Sequence, residues 1–327
     1  MLLVALTILV APLFVACNTQ ASATEVRVNG SSVTATPATK PRPSNLVPPP
    51  AGVAPKQLTP TAAPVISARA AIVIDDATGA VLYEYNSHTR LAPASLTKIA
   101  TAALAIDRGN LDQSITVDFD LGAQPGLDDA TEMGLRKGDR FTLRDLIYGM
   151  LLPSGADASL AIAHAVSGSE GAFVQQLNAF MESLKLYDTH FVDPHGIGGP
   201  AHLSTAYDIA MLSRYALRQP LFEKVVHTDE YKAVGSRTIM LGNTNPWMFT
   251  YHGANGVKNG FTEEAGPTLS ASATKSGHRV IVVVLNASQR NKDTTALMDW
   301  AFQTFCWGDG ALGCATGAPS ATSTPAR

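Results

Sequence analysis

The stretch that most constrains the fold is Pro93-Ala94-Ser95-Leu96-Thr97-Lys98 and the run behind it, Ile99 to Ile106, in which only Thr101 is polar. A helix that apolar has no face for water, so it belongs at the centre of a domain with the rest of the chain packed around it. Ser95 lies at its start and Lys98 one turn on. Residues three apart share a face, so hydroxyl and amine can meet. A serine hydroxyl is a poor nucleophile until a base takes its proton. Lysine serves as that base only when burial or a nearby cation lowers its pKa. A buried helix start supplies the burial, and its N-terminus adds partial positive charge. Ser95 is therefore a candidate acyl-enzyme nucleophile and Lys98 its base. S-x-x-K alone also describes a helix cap followed by a lysine that snorkels to water. The rest of the chain decides between the two.

The chain has 327 residues, 46% hydrophobic and 16% charged, with net charge -3, which suits one globular domain plus extensions. Nothing in that balance points to nucleic acid. Leu2 to Ala16 is almost wholly apolar. It is shorter than the roughly 20 residues that span a bilayer, and reads as the core of a signal peptide over residues 1–17. No basic residue precedes it, the first being Arg27. The run ends Leu13-Phe14-Val15-Ala16-Cys17, which resembles a bacterial lipobox, with Phe14 where leucine is preferred. Export is expected, to the cell envelope or beyond. A lipid anchor on Cys17 and a signal peptide with an incidental cysteine both stand. Residues 18–65 turn to Thr, Ala, Ser and Pro, with Pro48-Pro49-Pro50. That composition reads as a disordered tether, and residues 309–327 as a flexible tail.

Order is expected to begin near Ile66, and the folded domain to cover residues 66–308. Ala70–Asp75 and Ala80–Tyr85 flank the turn Asp76-Ala77-Thr78-Gly79, a hairpin. A hydrophobic helix over about 143–166 is interrupted at Pro153-Ser154-Gly155, the kind of break where functional side chains surface. Helices follow over 171–186 and 206–217, strands over 256–260, 268–274 and 280–285, and a last helix over 293–305. Strands first, helices in the middle and strands last predict an antiparallel sheet with helices on its faces, an α/β (α+β) fold.

Three sites then line up: Ser95 with Lys98, Ser154-Gly155-Ala156 at the helix break, and Lys258-Asn259-Gly260 on a late strand. Their order is that of S-x-x-K, S-x-N and K-T-G, the signature of penicillin-binding proteins and serine β-lactamases. The flanks extend the match: Ala71-Ile72-Val73-Ile74-Asp75 leading to Thr78-Gly79, then Phe191-Val192-Asp193-Pro194-His195-Gly196, His202-Leu203-Ser204-Thr205-Ala206, Asn243-Thr244-Asn245, Gly256-Val257-Lys258, and Gly260-Phe261-Thr262-Glu263-Glu264-Ala265-Gly266. Over residues 66 to 305 the chain resembles the D-alanyl-D-alanine carboxypeptidases, the low-molecular-mass penicillin-binding proteins.

The resemblance implies a β-lactamase-like fold with a helical subdomain. It also implies a serine peptidase that removes the terminal D-alanine from peptidoglycan stem peptides and is acylated by β-lactams. Ser95 would attack the carbonyl between the two D-alanines, Lys98 would take its proton, and Ser154 would relay it to the leaving group. The Ser95 N–H and another from the late strand would form the oxyanion hole. Lys258 would bind the terminal carboxylate, with Asn259 and Gly260 beside it. No metal or cofactor is implied. The pattern is broken twice: Ala156 replaces the asparagine of S-x-N and Asn259 the threonine of K-T-G. Asn259 keeps an amide donor, whereas Ala156 offers nothing polar. An impaired or retuned enzyme is expected, with a non-catalytic binder of the same peptides as the alternative.

A class A β-lactamase would need a glutamate to activate the deacylating water; Glu182, the nearest candidate, falls on a helix outside any such loop. The eight histidines show no metal-ligand spacing. His164 reads as packing on its helix and His195 as structural, contact with substrate being the alternative. Arg290 reads as a solvated loop charge, with carboxylate recognition as the other reading. Cys306 and Cys314 are either paired, as export allows, or two thiols in a mobile tail.

Overall fold

The computed structural model describes residues 52–58, 61–120, 127, 130–308 and 314. The expected signal peptide, the lipobox-like run and most of the expected linker and tail lie outside them. In chain order the elements are β1 (Lys56–Gln57), β2 (Ala68–Asp75), β3 (Val81–Tyr85), α1 (Thr97–Arg108), β4 (Ser114–Thr116), β5 (Arg140–Thr142), α2 (Leu143–Leu151), α3 (Ala156–Ser167), α4 (Glu170–Ser183), α5 (Ala206–Ala216), α6 (Pro220–Val226), β6 (Glu230–Val234), β7 (Thr238–Gly242), α7 (Trp247–Thr250), β8 (Ala254–Gly260), β9 (Thr268–Lys275), β10 (His278–Ala287), α8 (Arg290–Thr304) and β11 (Phe305–Cys306).

Five strands form one antiparallel sheet in the order β3-β2-β10-β9-β8. Its two central strands are apolar on both faces, which is why they read as continuous hydrophobic runs. Ile72, Ile74, Ile281, Val283 and Leu285 point into a core shared with α1, α2, α3, α5 and α6. Ala71, Val73, Val280, Val282 and Val284 point the other way, onto Leu297, Met298 and Ala301 of α8 and onto Trp247. The expected sheet with helices on its faces is this three-layer arrangement. α1 lies at its centre as the sequence demanded, buried from Thr97 to Ala105. The helices α2, α3 and α4 build the helical part beside it.

Two expectations are corrected. Order reaches further forward than Ile66: β1 pairs antiparallel with β11, and Trp300 Nε1 donates to the Thr61 carbonyl at 3.1 Å. Two residues are too short a strand for periodicity to reveal. The tail is likewise tied at Cys314, which is disulfide-bonded to Cys306 on β11.

Candidate active site

Ser95 sits in a single 3-10 turn, Ala94–Leu96, that leads into α1. The residue before it, Ala94, has φ 50°, and Ser154 has φ 70°. Left-handed backbone at a residue with a side chain costs on the order of 1–3 kcal/mol and persists only where neighbours hold it. Around Ser154 the hold is visible. Thr131 Oγ1 donates to the Ser154 carbonyl at 2.8 Å, the Ala156 N–H to the Thr131 carbonyl at 2.8 Å, and the Gly155 N–H to the Gly149 carbonyl at 3.1 Å. Asp157, at the start of α3, accepts from the backbone N–H of Met133, Gly134, Leu135 and Ala158, all at 2.8 Å. The expected break between α2 and α3 is thus a fixed turn that presents Ser154 to the cavity.

Lys98 is buried, and its Nζ donates to Ser95 Oγ at 3.0 Å and to the His195 carbonyl at 2.7 Å. Burial pulls its pKa down to about 7, against the smaller upward pull of Asp193 and Asp157. A large share of Lys98 is then neutral at neutral pH, with a lone pair for the Ser95 proton. His195 is buried too, and burial takes its pKa down to about 4. It touches the site through its carbonyl, and its ring is not on the cavity wall.

The third strip comes from β8. As an edge strand pairing only with β9, it leaves one side free for an extended peptide. A Cβ at Gly260 would fall 2.9 Å from the Ser95 N–H nitrogen and 2.7 Å from Thr268 Oγ1. Glycine is what lets the strand end approach the nucleophile's backbone so closely.

The two cations here differ from expectation. Lys258 is buried behind the wall, and its Nζ donates to the Asn259 carbonyl at 2.9 Å and to Asn259 Oδ1 at 3.0 Å. Burial, then Lys98 and Arg290, push its pKa well below the usual lysine value. The Asn259 amide nitrogen is also engaged, donating to the Thr244 carbonyl at 3.0 Å. Arg290 is the correction in the other direction. It is a half-buried residue at the start of α8, its Nη1 donates to the Gly260 carbonyl at 2.8 Å, and it lines the cavity.

Ser95, Lys98, Ser154, Ala156, Asn259, Gly260 and Arg290 thus meet on one cavity of about 770 Å³. Thr131, Thr244, Phe261 and Thr262 also line it; Thr244, Phe261 and Thr262 fall within the flanking motifs, whereas no motif contains Thr131. His164 lies elsewhere, its Nδ1 3.1 Å from Asp118 Oδ1. Glu182 is exposed on α4 and does not reach the cavity. Among the described residues no group of three or more His, Cys, Asp or Glu is placed to hold a metal.

A buried lysine against a serine, beside a second serine and an edge strand, defines a serine acyl-transfer site of the penicillin-binding type. Residues 57–289 match the family described as D-alanyl-D-alanine carboxypeptidase. The chain is 37% identical over 247 residues to DacF of Bacillus subtilis, covering 73% of this chain and 63% of that protein. To DacC of Escherichia coli it is 36% identical, covering 74% and 63%. Among solved structures, a Streptomyces DD-transpeptidase superposes with TM-score 0.71 at 33% identity, over 74% of this chain and 100% of the other. The chain belongs to the D-alanyl-D-alanine carboxypeptidase family. Its match spans a little under two thirds of the length of these two carboxypeptidases.

Proposed function

We propose that the protein is a serine D-Ala-D-Ala carboxypeptidase that removes the terminal D-alanine from peptidoglycan stem peptides. The observation that carries this is the buried Lys98 amine 3.0 Å from Ser95 Oγ, with its pKa near 7. The substrate lies antiparallel to the free edge of β8. Ser95 Oγ attacks the carbonyl between the D-alanines as its proton passes to Lys98 Nζ. The Ser95 N–H and the backbone at the end of β8 receive the oxyanion. The C–N bond then breaks, Ser154 passes the proton to the leaving amine, and water hydrolyses the ester. Arg290 meets the terminal carboxylate from the cavity wall, with Asn259 between that carboxylate and Lys258. β-Lactams enter the same route, because their strained amide meets the same nucleophile.

The test is release of D-alanine from a peptide ending in D-Ala-D-Ala. Turnover by wild type and none by Ser95→Ala is the expected result. Binding of the peptide without D-alanine release would make the protein a binder on an enzyme's scaffold, the reading favoured by Ala156. An acceptor amine added to the assay reports transpeptidation. Residues 1–17 fit export to the cell envelope, with Cys17 as the site of a lipid anchor. Loss of the protein from the membrane fraction on Cys17→Ala is the expected outcome, and retention there would remove the anchor. No helix among the described residues is long and apolar enough to cross a membrane.

A further inference from the structure

Behind the nucleophile lies a buried polar chain that the steps above leave unused. The His195 carbonyl that receives Lys98 Nζ belongs to a turn, and Asp193 holds that turn. Its Oδ1 accepts from the backbone N–H of His195 at 2.8 Å and of Gly196 at 2.5 Å. Thr101 Oγ1, one turn beyond Lys98 on α1, donates to the Pro194 carbonyl at 2.7 Å, so the turn is also tied to the helix that carries the base. Gly196 has φ 97°, and a Cβ there would fall 2.0 Å from the Ala94 carbonyl oxygen. The turn therefore packs on the residue just before the nucleophile.

On its other side His202 Nε2 lies 2.7 Å from Thr97 Oγ1, which itself donates to the Ala94 carbonyl at 2.9 Å. With that hydroxyl proton on the Ala94 carbonyl, the arrangement that fits has His202 Nε2 donating to Thr97 Oγ1 and Nδ1 accepting from the Val192 N–H at 3.2 Å. In that tautomer His202 is neutral, and its Nδ1, 3.6 Å from Asp193 Oδ2, gives it no proton; the His195 ring also faces the carboxylate, its Nδ1 3.1 Å from Oδ1. Among the described residues, Asp193 Oδ2 is buried with no hydrogen-bond partner. A buried carboxylate left open on one oxygen is costly unless a positive charge faces it.

We propose that Asp193 is a positioning residue of acylation: it aims Lys98 by fixing the His195 carbonyl, and its charge steadies the ammonium that forms when Lys98 takes the Ser95 proton. Of the other ionisable groups around Lys98, Asp157 alone pulls the same way, and less strongly. Its oxygens accept from four backbone amides and make no bond to the turn that receives Lys98 Nζ. His195 and His202 are both pushed down by burial and so are neutral at neutral pH. Lys258 has the wrong sign and is itself pushed down by burial.

The inference rests on the Ser95–Lys98 reading, and the experiment separates the two. The rate of penicillin acylation of the full chain is followed against pH by intact mass, for wild type, Asp193→Asn and Thr101→Val. Asp193→Asn keeps the acceptor for the turn and removes the charge. Its acid limb is expected to move down by about one pH unit, with a plateau about ten-fold lower because the base is weaker. Thr101→Val keeps the charge and loosens the turn, so its plateau falls while its limb stays with wild type. An Asp193→Asn limb that coincides with wild type overturns the proposal. If that variant fails to fold by circular dichroism, an unchanged Thr101→Val rate overturns the positioning role instead. A wild type that takes no adduct at any pH removes the Ser95–Lys98 reading, and this inference with it.

Discussion

At the scale of single residues, the protein turns on where a lysine's pKa falls. In the proposed reaction Lys98 must be neutral to take the Ser95 proton, so acylation requires its deprotonated form. With a pKa of about 7, the rate of penicillin acylation should rise through pH 6–8 and level off above. His195, at about 4, contributes no step in that window. A flat profile between pH 6 and 8 would mean that another group is the base. Lys98→Ala should abolish acylation, whereas Lys258→Ala should mainly raise KM. Ser95, Lys98 and Ser154 were legible in the sequence because their spacing on a buried helix start and a helix break fixes where their backbones go. The placements of Lys258 and Arg290 were not legible, because a long side chain's direction is set by what packs around it. Asn259 caps Lys258 off from the cavity, and the start of α8 brings Arg290 onto it. Restoring the family residues tests those two departures. Ala156→Asn with Asn259→Thr is expected to raise kcat/KM on a D-Ala-D-Ala peptide. Each restored contact to a charged group is worth about 1.5–3 kcal/mol at most, and the two share one substrate, so they need not add. Wild type, both singles and the double, assayed side by side, decide it. No gain in any variant would mean that other residues of the cavity compensate for the two departures.

At the scale of elements, the site is held together by turns more than by helices or strands. Asp157 ties the start of α3 to residues 133–135 with three N–H bonds, and the same segment carries Thr131, which holds Ser154. Asp157→Ala leaves those buried donors open, and should cost about 3 kcal/mol in urea unfolding. Acylation should fall as well, because Ser154 loses its support; a variant as stable as wild type would show that water replaces the carboxylate. The central strands and α1 were legible, since β2 and β10 are apolar on both faces and α1 is apolar all round. The hairpin of β6 and β7 is not legible in the sequence although Glu230 to Val234 alternates outside and inside. Its outward face carries Val234 and Met240, exposed apolar residues that blur the period. The network of Asp193, His202 and Thr97 was invisible for a different reason: it joins α1 to residues about a hundred positions later, and local pattern carries no such information.

At the scale of the whole molecule, the two ends of the described chain are fastened together. β1 pairs with β11, β11 carries Cys306, and the disulfide to Cys314 closes a short loop there. Opening it with Cys314→Ala should cost about 2.5 kcal/mol from the loop-closure estimate, read by urea unfolding. Acylation should be unchanged, because no residue of this clasp lines the cavity. A loss of acylation at unchanged stability would connect the clasp to the site. The central claim is that Ser95 is a nucleophile activated by Lys98. Intact mass after incubation with penicillin, followed by mapping of the modified peptide, tests it most directly. One penicilloyl group on Ser95 in wild type, and none on Ser95→Ala or Lys98→Ala, is the result the account predicts. An unmodified wild type, or an equal adduct on Ser95→Ala, would contradict it.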